Sequence, residues 1–230
     1  MNVSARVDGR GLDELREISF ELNIQKYVSG SVLIKWGNTH VLCAATLEDY
    51  VPSFVREGGW ASAEYALLPG STHSRVRRER KGPSGRTAEI QRLIGRSLRG
   101  ALDLKRMEGY SLNLDCDVIQ ADGGTRCAAI TGSYVAAAIA LKSIGYEPDP
   151  FAALSFGLVE HQLYTDLCYE EDARAQVDMN IVLSTQGLIE VQGTAERHPF
   201  SIAQLNDMLS RAEIASESIF QRQRDAVQRG

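Results

Sequence analysis

Between Ser111 and Gly132 the chain reads SLNLDCDVIQADGGTRCAAITG, and this run restricts the fold more than any other. Leu112, Leu114, Cys116 and Val118 alternate with Asn113, Asp115 and Asp117, the period of a half-buried strand. The alternation stops at Ala121-Asp122-Gly123-Gly124, where two glycines can take backbone angles closed to other residues. From Cys127 to Ala140 an Ala-rich stretch reads as a helix. A strand, a glycine turn and a helix start, with Thr125 and Arg126 at the junction, make a potential anion site. Free N–H groups and the helix dipole face the ligand, and Arg126 adds a full charge with forked donors. An ordinary tight turn beside a solvated arginine has the same local pattern, so the motif needs support from elsewhere. It is neither a P-loop nor a G-x-G-x-x-G fingerprint.

A chain of 230 residues can bury a substantial core, and its 43% hydrophobic and 24% charged fractions are those of a soluble globular protein. No run is expected to approach the ~18 apolar residues of a membrane helix; Tyr134 to Leu141 is the longest, ended by Lys142. The N-terminal MNVSARVDGRGLDELRE has no apolar core, which predicts no secretory signal. Cys43, Cys116, Cys127 and Cys168 are scattered without a C-x-x-C pair and read as reduced thiols rather than a zinc site. The expectation is a cytoplasmic protein with no membrane partner.

The net charge of −5 by itself opposes a nucleic-acid partner, but its distribution does not. Eleven of the 25 basic residues lie between Arg75 and Arg106, against only Glu79, Glu89 and Asp103. A positive segment on an acidic body is a local footprint for a polyanion.

Val3 to Arg16 is polar and reads as an extended arm. Ile18–Leu22, Ser31–Trp36 and His40–Leu47 alternate as strands, the last two joined by a Gly37-Asn38-Thr39 turn. Trp60–Leu68 is a further strand, and the basic loop to Gly85 is too charged to pack and too long to be a mere connector. Arg86–Leu104 reads as a helix with Ile90, Leu93, Ile94, Leu98, Ala101 and Leu102 on its buried face. Arg92, Arg96 and Arg99 form a cationic row on another face. After a short link at 146–150, a hairpin is predicted over Ala152–Val159 and Gln162–Cys168. An acidic stretch Tyr169–Gln176, strands Val177–Ser184 and Leu188–Gly193, and an amphipathic helix over Pro199–Arg222 follow. The order indicates a mixed α/β fold, loosely duplicated.

Phosphate chemistry on a polyanion usually calls for a cation, and Mg²⁺ is normally held by one or two carboxylates. Asp172 and Asp178 are the first candidates, with Asp115, Asp117, Asp122 and Glu190 behind them. No Ser-His-Asp or Cys-His arrangement stands out.

Ser84-Gly85-Arg86-Thr87 with Glu89 to Arg96, Leu114 to Val118 with Gln120 to Arg126, Asp178-Met179-Asn180 and Glu190 to Glu196 together resemble the ribonuclease PH family. The likeness runs from Asp8-Gly9-Arg10 to the C-terminal helix. It implies one ribonuclease PH domain over 1–230, with the duplicated β-α units of the ribosomal protein S5 domain 2 type. The implied activity is that of a tRNA nucleotidyltransferase: a phosphate-dependent 3′→5′ exoribonuclease that trims precursor tRNA and other RNA and releases nucleoside 5′-diphosphates. Arg86, Gly124, Thr125 and Arg126 would bind inorganic phosphate, with Arg126 also catalytic. Asp172 and Asp178 would be catalytic acids, as Mg²⁺ ligands or, for Asp178, as general acid. Arg75, Arg77, Arg92, Arg96 and Arg99 would hold RNA backbone or serve subunit contacts in a homo-hexameric ring, a trimer of dimers.

Two departures stand out. Gly70 occupies the place where the family often carries an arginine after its Leu-Pro pair, and the link at 146–150 is short. The competing reading is a non-catalytic RNA-binding ring subunit of an exosome-like assembly. Retention of Arg86, Gly-Gly-Thr-Arg and both aspartates argues against it.

Overall fold

A computed structural model describes residues 6–230. The first half opens with β1 (Ile18–Leu22), β2 (Gly30–Trp36), β3 (Thr39–Glu48) and β4 (Trp60–Leu67), then α1 (Gly85–Ala101), β5 (Ser111–Gln120) and α2 (Thr125–Leu141). The second half contains β6 (Phe151–Val159), β7 (Gln162–Thr165), α3 (Tyr169–Asp172), β8 (Val177–Ser184), β9 (Gly187–Ala195) and α4 (Ile202–Arg229). One sheet has the order β1-β2-β3-β5-β4, antiparallel except for the parallel β4–β5 pair. The other, β7-β6-β8-β9, is antiparallel throughout. This is the expected mixed α/β architecture.

Helix α2 lies between the two sheets, touching β2, β3 and β5 on one side and β6 on the other. It is apolar around most of its circumference because most of that circumference is buried. Small residues let it come close: a Cβ on Gly132 would lie 2.7 Å from Cys43 Sγ. With the single 3-10 turn that extends it, Thr125–Ile144 is long and apolar enough by length and composition to cross a membrane, although Arg126 and Lys142 interrupt it. Its apolar surface is instead mostly buried in the core.

Several boundaries differ from the sequence reading for identifiable reasons. Helix α1 ends at Ala101 rather than Leu104 because the Asp103 carboxylate accepts from Lys105 N (3.1 Å) and starts a separate 3-10 turn, Leu104–Met107. Helix α2 begins two residues early, at Thr125, since Gly124 is its left-handed cap. Strand β7 stops at Thr165, not Cys168, because Asp166 turns to φ +58° and is gripped by arginines. The acidic stretch after it contains the single turn α3. Helix α4 starts at Ile202, behind a reciprocal Ser201–Gln204 capping box, and runs on to Arg229.

The expected extended arm is also corrected. Its first residues, Val3 to Ala5, lie outside the described ones, but from Arg6 to Arg16 it is a docked, turning segment. Arg6 and Arg16 are buried, and Leu12 packs on a small cluster of Val159, Tyr164, Leu167 and Ala175. All four cysteines are buried and free.

Candidate active site

The central strand alternates as its sequence requires. Leu112, Leu114, Cys116 and Val118 are buried, whereas Asp115 and Asp117 face outward on the open side of the sheet. The strand delivers the chain to Gly123 and Gly124, at φ +74° and +67°. Gly123 has a second reason to lack a side chain. A Cβ there would lie 2.6 Å from the Leu167 carbonyl oxygen and 2.8 Å from Tyr169 N. The glycine turn therefore touches the segment entering α3, and this close approach brings the two halves of the site together.

Around that contact lies a cavity of about 370 Å³, lined by Tyr65, Arg86, Gly123, Gly124, Thr125, Arg126, Asp172 and Asp178 among others. The α2 N-terminus has no side-chain cap, so its first amides are free to meet an anion. The hydroxyl of Thr125 accepts from Tyr65 Oη at 2.9 Å. Arg126 Nη1 donates to Asp178 Oδ2 at 3.2 Å, Nη2 lies 3.9 Å from Glu89 Oε1, and the buried Nε has no partner. An unsatisfied guanidinium donor beside a free helix end is an anion-binding arrangement. Arg86, exposed in the first turn of α1, reaches the same cavity. That helix is started by Ser84, whose Oγ accepts from Thr87 N, and Glu79 accepts from Ser84 N and Thr87 Oγ1.

Asp172 closes α3 and Asp178 lies on β8, both on the cavity wall. Burial, with the nearby Asp178 charge, pushes the Asp172 carboxyl above its ordinary value, while Arg126 and Arg86 pull it down. The Asp172 carboxylate has no hydrogen-bond partner among the described residues, and Asp178 is oriented by Arg126 and by Asn180 Nδ2 (3.2 Å). Two hard oxygen donors on one cavity wall, one of them unpartnered, fit Mg²⁺, which keeps waters and substrate oxygens as its other ligands. Among the described residues no group of three or more acids, histidines or cysteines forms a closed metal cage.

The reserve acids do not join them. Asp115 and Asp117 are on the opposite face of their strand, Asp122 Oδ1 accepts from Tyr169 N (3.3 Å), and Glu190 pairs with Arg96. The arginines predicted for RNA also separate. Arg75, Arg77 and Arg92 are exposed with no hydrogen-bond partner among the described residues. Arg96 Nε donates to Glu190 Oε2 at 3.0 Å, and Arg99 donates to the Ala61 carbonyl (2.8 Å) and stacks over Trp60. Tyr65, His73 and Tyr169 line the cavity without a place in any of the motifs, and Asn180, from the Asp178-Met179-Asn180 motif, joins them. Only Asn180 left a usable signal, by sharing the Asp178 face of an alternating strand.

Residues 14–143 match the first domain of the 3′ exoribonuclease family and 149–215 the second. Ribonuclease PH of Synechococcus sp. (strain JA-2-3B'a(2-13)) is 49% identical over 96% of this chain and 97% of its own. Ribonuclease PH of Crocosphaera subtropica is 47% identical with the same coverage. Rice Rrp46 shares the fold at a TM-score of 0.81 and 18% identity, over 96% of this chain and 100% of its own. A chain of the Archaeoglobus fulgidus exosome with RNA bound to the active site does so at 0.79 and 19% identity, over 93% of this chain and 91% of that one. On the family match and the near-full-length identity, the chain belongs to the ribonuclease PH family of 3′ exoribonucleases.

Proposed function

We propose that this chain is a phosphate-dependent 3′→5′ exoribonuclease that moves the terminal nucleotide of RNA onto inorganic phosphate and releases a nucleoside 5′-diphosphate. The observation that carries this is the meeting, in one cavity, of an uncapped helix N-terminus, Arg86, the Arg126 guanidinium with its unpartnered Nε and the Asp172–Asp178 pair. Residues 1–230 act as one catalytic unit, because Arg126 comes from the first half and both aspartates from the second.

The Gly124–Arg126 amides, Arg126 and Arg86 hold and orient phosphate, which water would otherwise shield. A phosphate oxygen forms a bond to the terminal phosphorus in line, the bond from that phosphorus to the preceding 3′-oxygen breaks, and that oxygen takes up a proton. Nucleotide addition is the same path reversed. Asp172 and Asp178 would hold Mg²⁺. When bound, the cation offsets charge developing on the phosphoryl oxygens. Arg75, Arg77 and Arg92 hold RNA backbone without reading sequence, whereas Arg96 and Arg99 are already engaged within the chain. Precursor tRNA and other RNA 3′ ends are the substrates, the working form is a homo-hexameric ring, and the setting is the cytoplasm.

A tRNA with a short 3′ tail, incubated with Mg²⁺ with and without phosphate, tests the reading. Nucleoside diphosphates appearing only with phosphate, and lost in Arg126→Ala, are expected. Monophosphates released without phosphate would refute phosphorolysis. Salt-sensitive RNA binding without release would favour the non-catalytic ring subunit.

A further inference from the structure

Asp172 is the last residue of α3, a helix of only four residues. One isolated turn fixes several dihedrals for almost no internal hydrogen bonding, so it does not hold its own shape. Asp122 accepts from Tyr169 N at its start, but the turn's buried anchor is the residue beside Asp172. Glu171 is fully buried, and its Oε2 accepts from Cys168 N at the start of the turn, 3.0 Å away. The same carboxylate receives a two-pronged grip from Arg6, whose Nε donates to Oε1 at 2.8 Å and Nη2 to Oε2 at 2.6 Å.

The guanidinium of Arg6 also donates to the Thr165 carbonyl (2.8 Å) and the Asp166 carbonyl (2.7 Å), and it lies over the Tyr164 ring. One side chain thus clamps both the segment leading into α3 and the turn itself. Both members of the pair are wholly inaccessible to water. A buried ion pair is a poor source of stability in itself, and holding a defined geometry is one of its attested uses. Arg6 lies ahead of the family-matched segment, which begins at residue 14.

We infer that Arg6, acting through Glu171, is a positioning residue that fixes the Asp172 carboxylate for its cation. This rests on the proposed role of Asp172 and Asp178 as Mg²⁺ ligands. The phosphate side of the cavity is built on the Gly123–Gly124 turn, which Arg16 and Thr39 hold; Arg6 grips α3 directly and reaches that turn only through Asp166, so losing the clamp should fall far more heavily on the cation than on phosphate.

The test is a titration of full-length protein with Mn²⁺ alone, read by electron paramagnetic resonance of the free ion, beside calorimetric titration with inorganic phosphate. The double variant Arg6→Met/Glu171→Met leaves no orphaned buried charge. It is expected to weaken Mn²⁺ binding roughly 10-fold, the low end of what losing a group bonded directly to a metal ligand does, because the clamp acts on the turn rather than on the carboxylate, with a much smaller change in phosphate affinity. Its kcat at subsaturating metal should fall while KM for phosphate changes far less. Arg6→Lys keeps the charge without the fork and should lie between it and the parent; it carries the same test should the double variant not fold. Parental Mn²⁺ affinity in a folded variant, or parallel loss of Mn²⁺ and phosphate binding, would overturn the inference. Asp172→Asn in the parent separates the two levels: if Mn²⁺ affinity is insensitive to it, the metal-ligand reading fails, and the inference with it.

Discussion

Arg16 and Asp166, 150 residues apart, are joined by Nη2 to Oδ1 at 2.6 Å, while Arg16 Nη1 donates to the Asp122 carbonyl at 2.6 Å. One buried side chain therefore ties the approach to α3 to the turn that opens α2. Asp166 also accepts from Trp36 Nε1 (2.9 Å) and Arg10 Nη1 (3.2 Å). Arg16→Met strips the main cation from a buried carboxylate and should cost about 3–5 kcal/mol, as for other broken buried pairs. Urea unfolding measures it; a loss within experimental error would show that Trp36 and Arg10 suffice.

In the proposed phosphate site Arg126 offers a planar fork of donors, and a lysine would keep only a point charge. Arg126→Lys should fold normally, since the side chain is partly exposed and its nearest ion pair, to Asp178, is long at 3.2 Å. Its kcat/KM for phosphate should drop roughly 10²-fold or more, in line with losing one aligned transition-state donor. Steady-state kinetics with varied phosphate reads this directly.

Asp172 is held above its ordinary value of 3.8 by burial and then by Asp178. Its ionised form, which a cation needs, thus appears at a higher pH than for a free aspartate, and metal affinity should fall as pH is lowered through that raised pKa. Arg86 pulls the pKa down, so Arg86→Ala should move this acid limb to still higher pH. The stability consequence has the opposite sense. A raised carboxyl pKa favours the fold while the group is protonated, and that contribution is lost as pH rises through it. Asp172→Asn should therefore unfold at a higher temperature than the parent at neutral pH while losing activity. Calorimetry across pH, beside Mn²⁺ titrations, checks both signs.

RNA binding should respond unequally to the five arginines. Arg75→Ala and Arg77→Ala remove exposed, uncommitted cations, and each should lower the slope of log affinity against log salt by roughly 0.7 for a single-stranded tail. Arg96→Ala breaks its pair with Glu190 and should leave that slope unchanged. As an exposed pair, it should also change stability by no more than about 1 kcal/mol. Fluorescence anisotropy over a salt series separates the two groups.

The amino-acid sequence alone determined the strand–turn–helix around Gly123-Gly124, the buried face of α1 and the alternation of β8, because period and glycine chemistry are local properties. It also brought Arg86, Arg126, Asp172 and Asp178 forward, through motif likeness, and all four line one cavity. Only the tertiary structure decided which charges were free to act. Arg6, Arg16 and Glu171 read as polar arm and acidic surface, yet they are buried against partners more than a hundred residues away. Arg96 and Arg92 look alike along their helix, but Glu190 on β9 engages only one. Partnering across such distances depends on how the two sheets sandwich α2, and local periodicity carries no record of that.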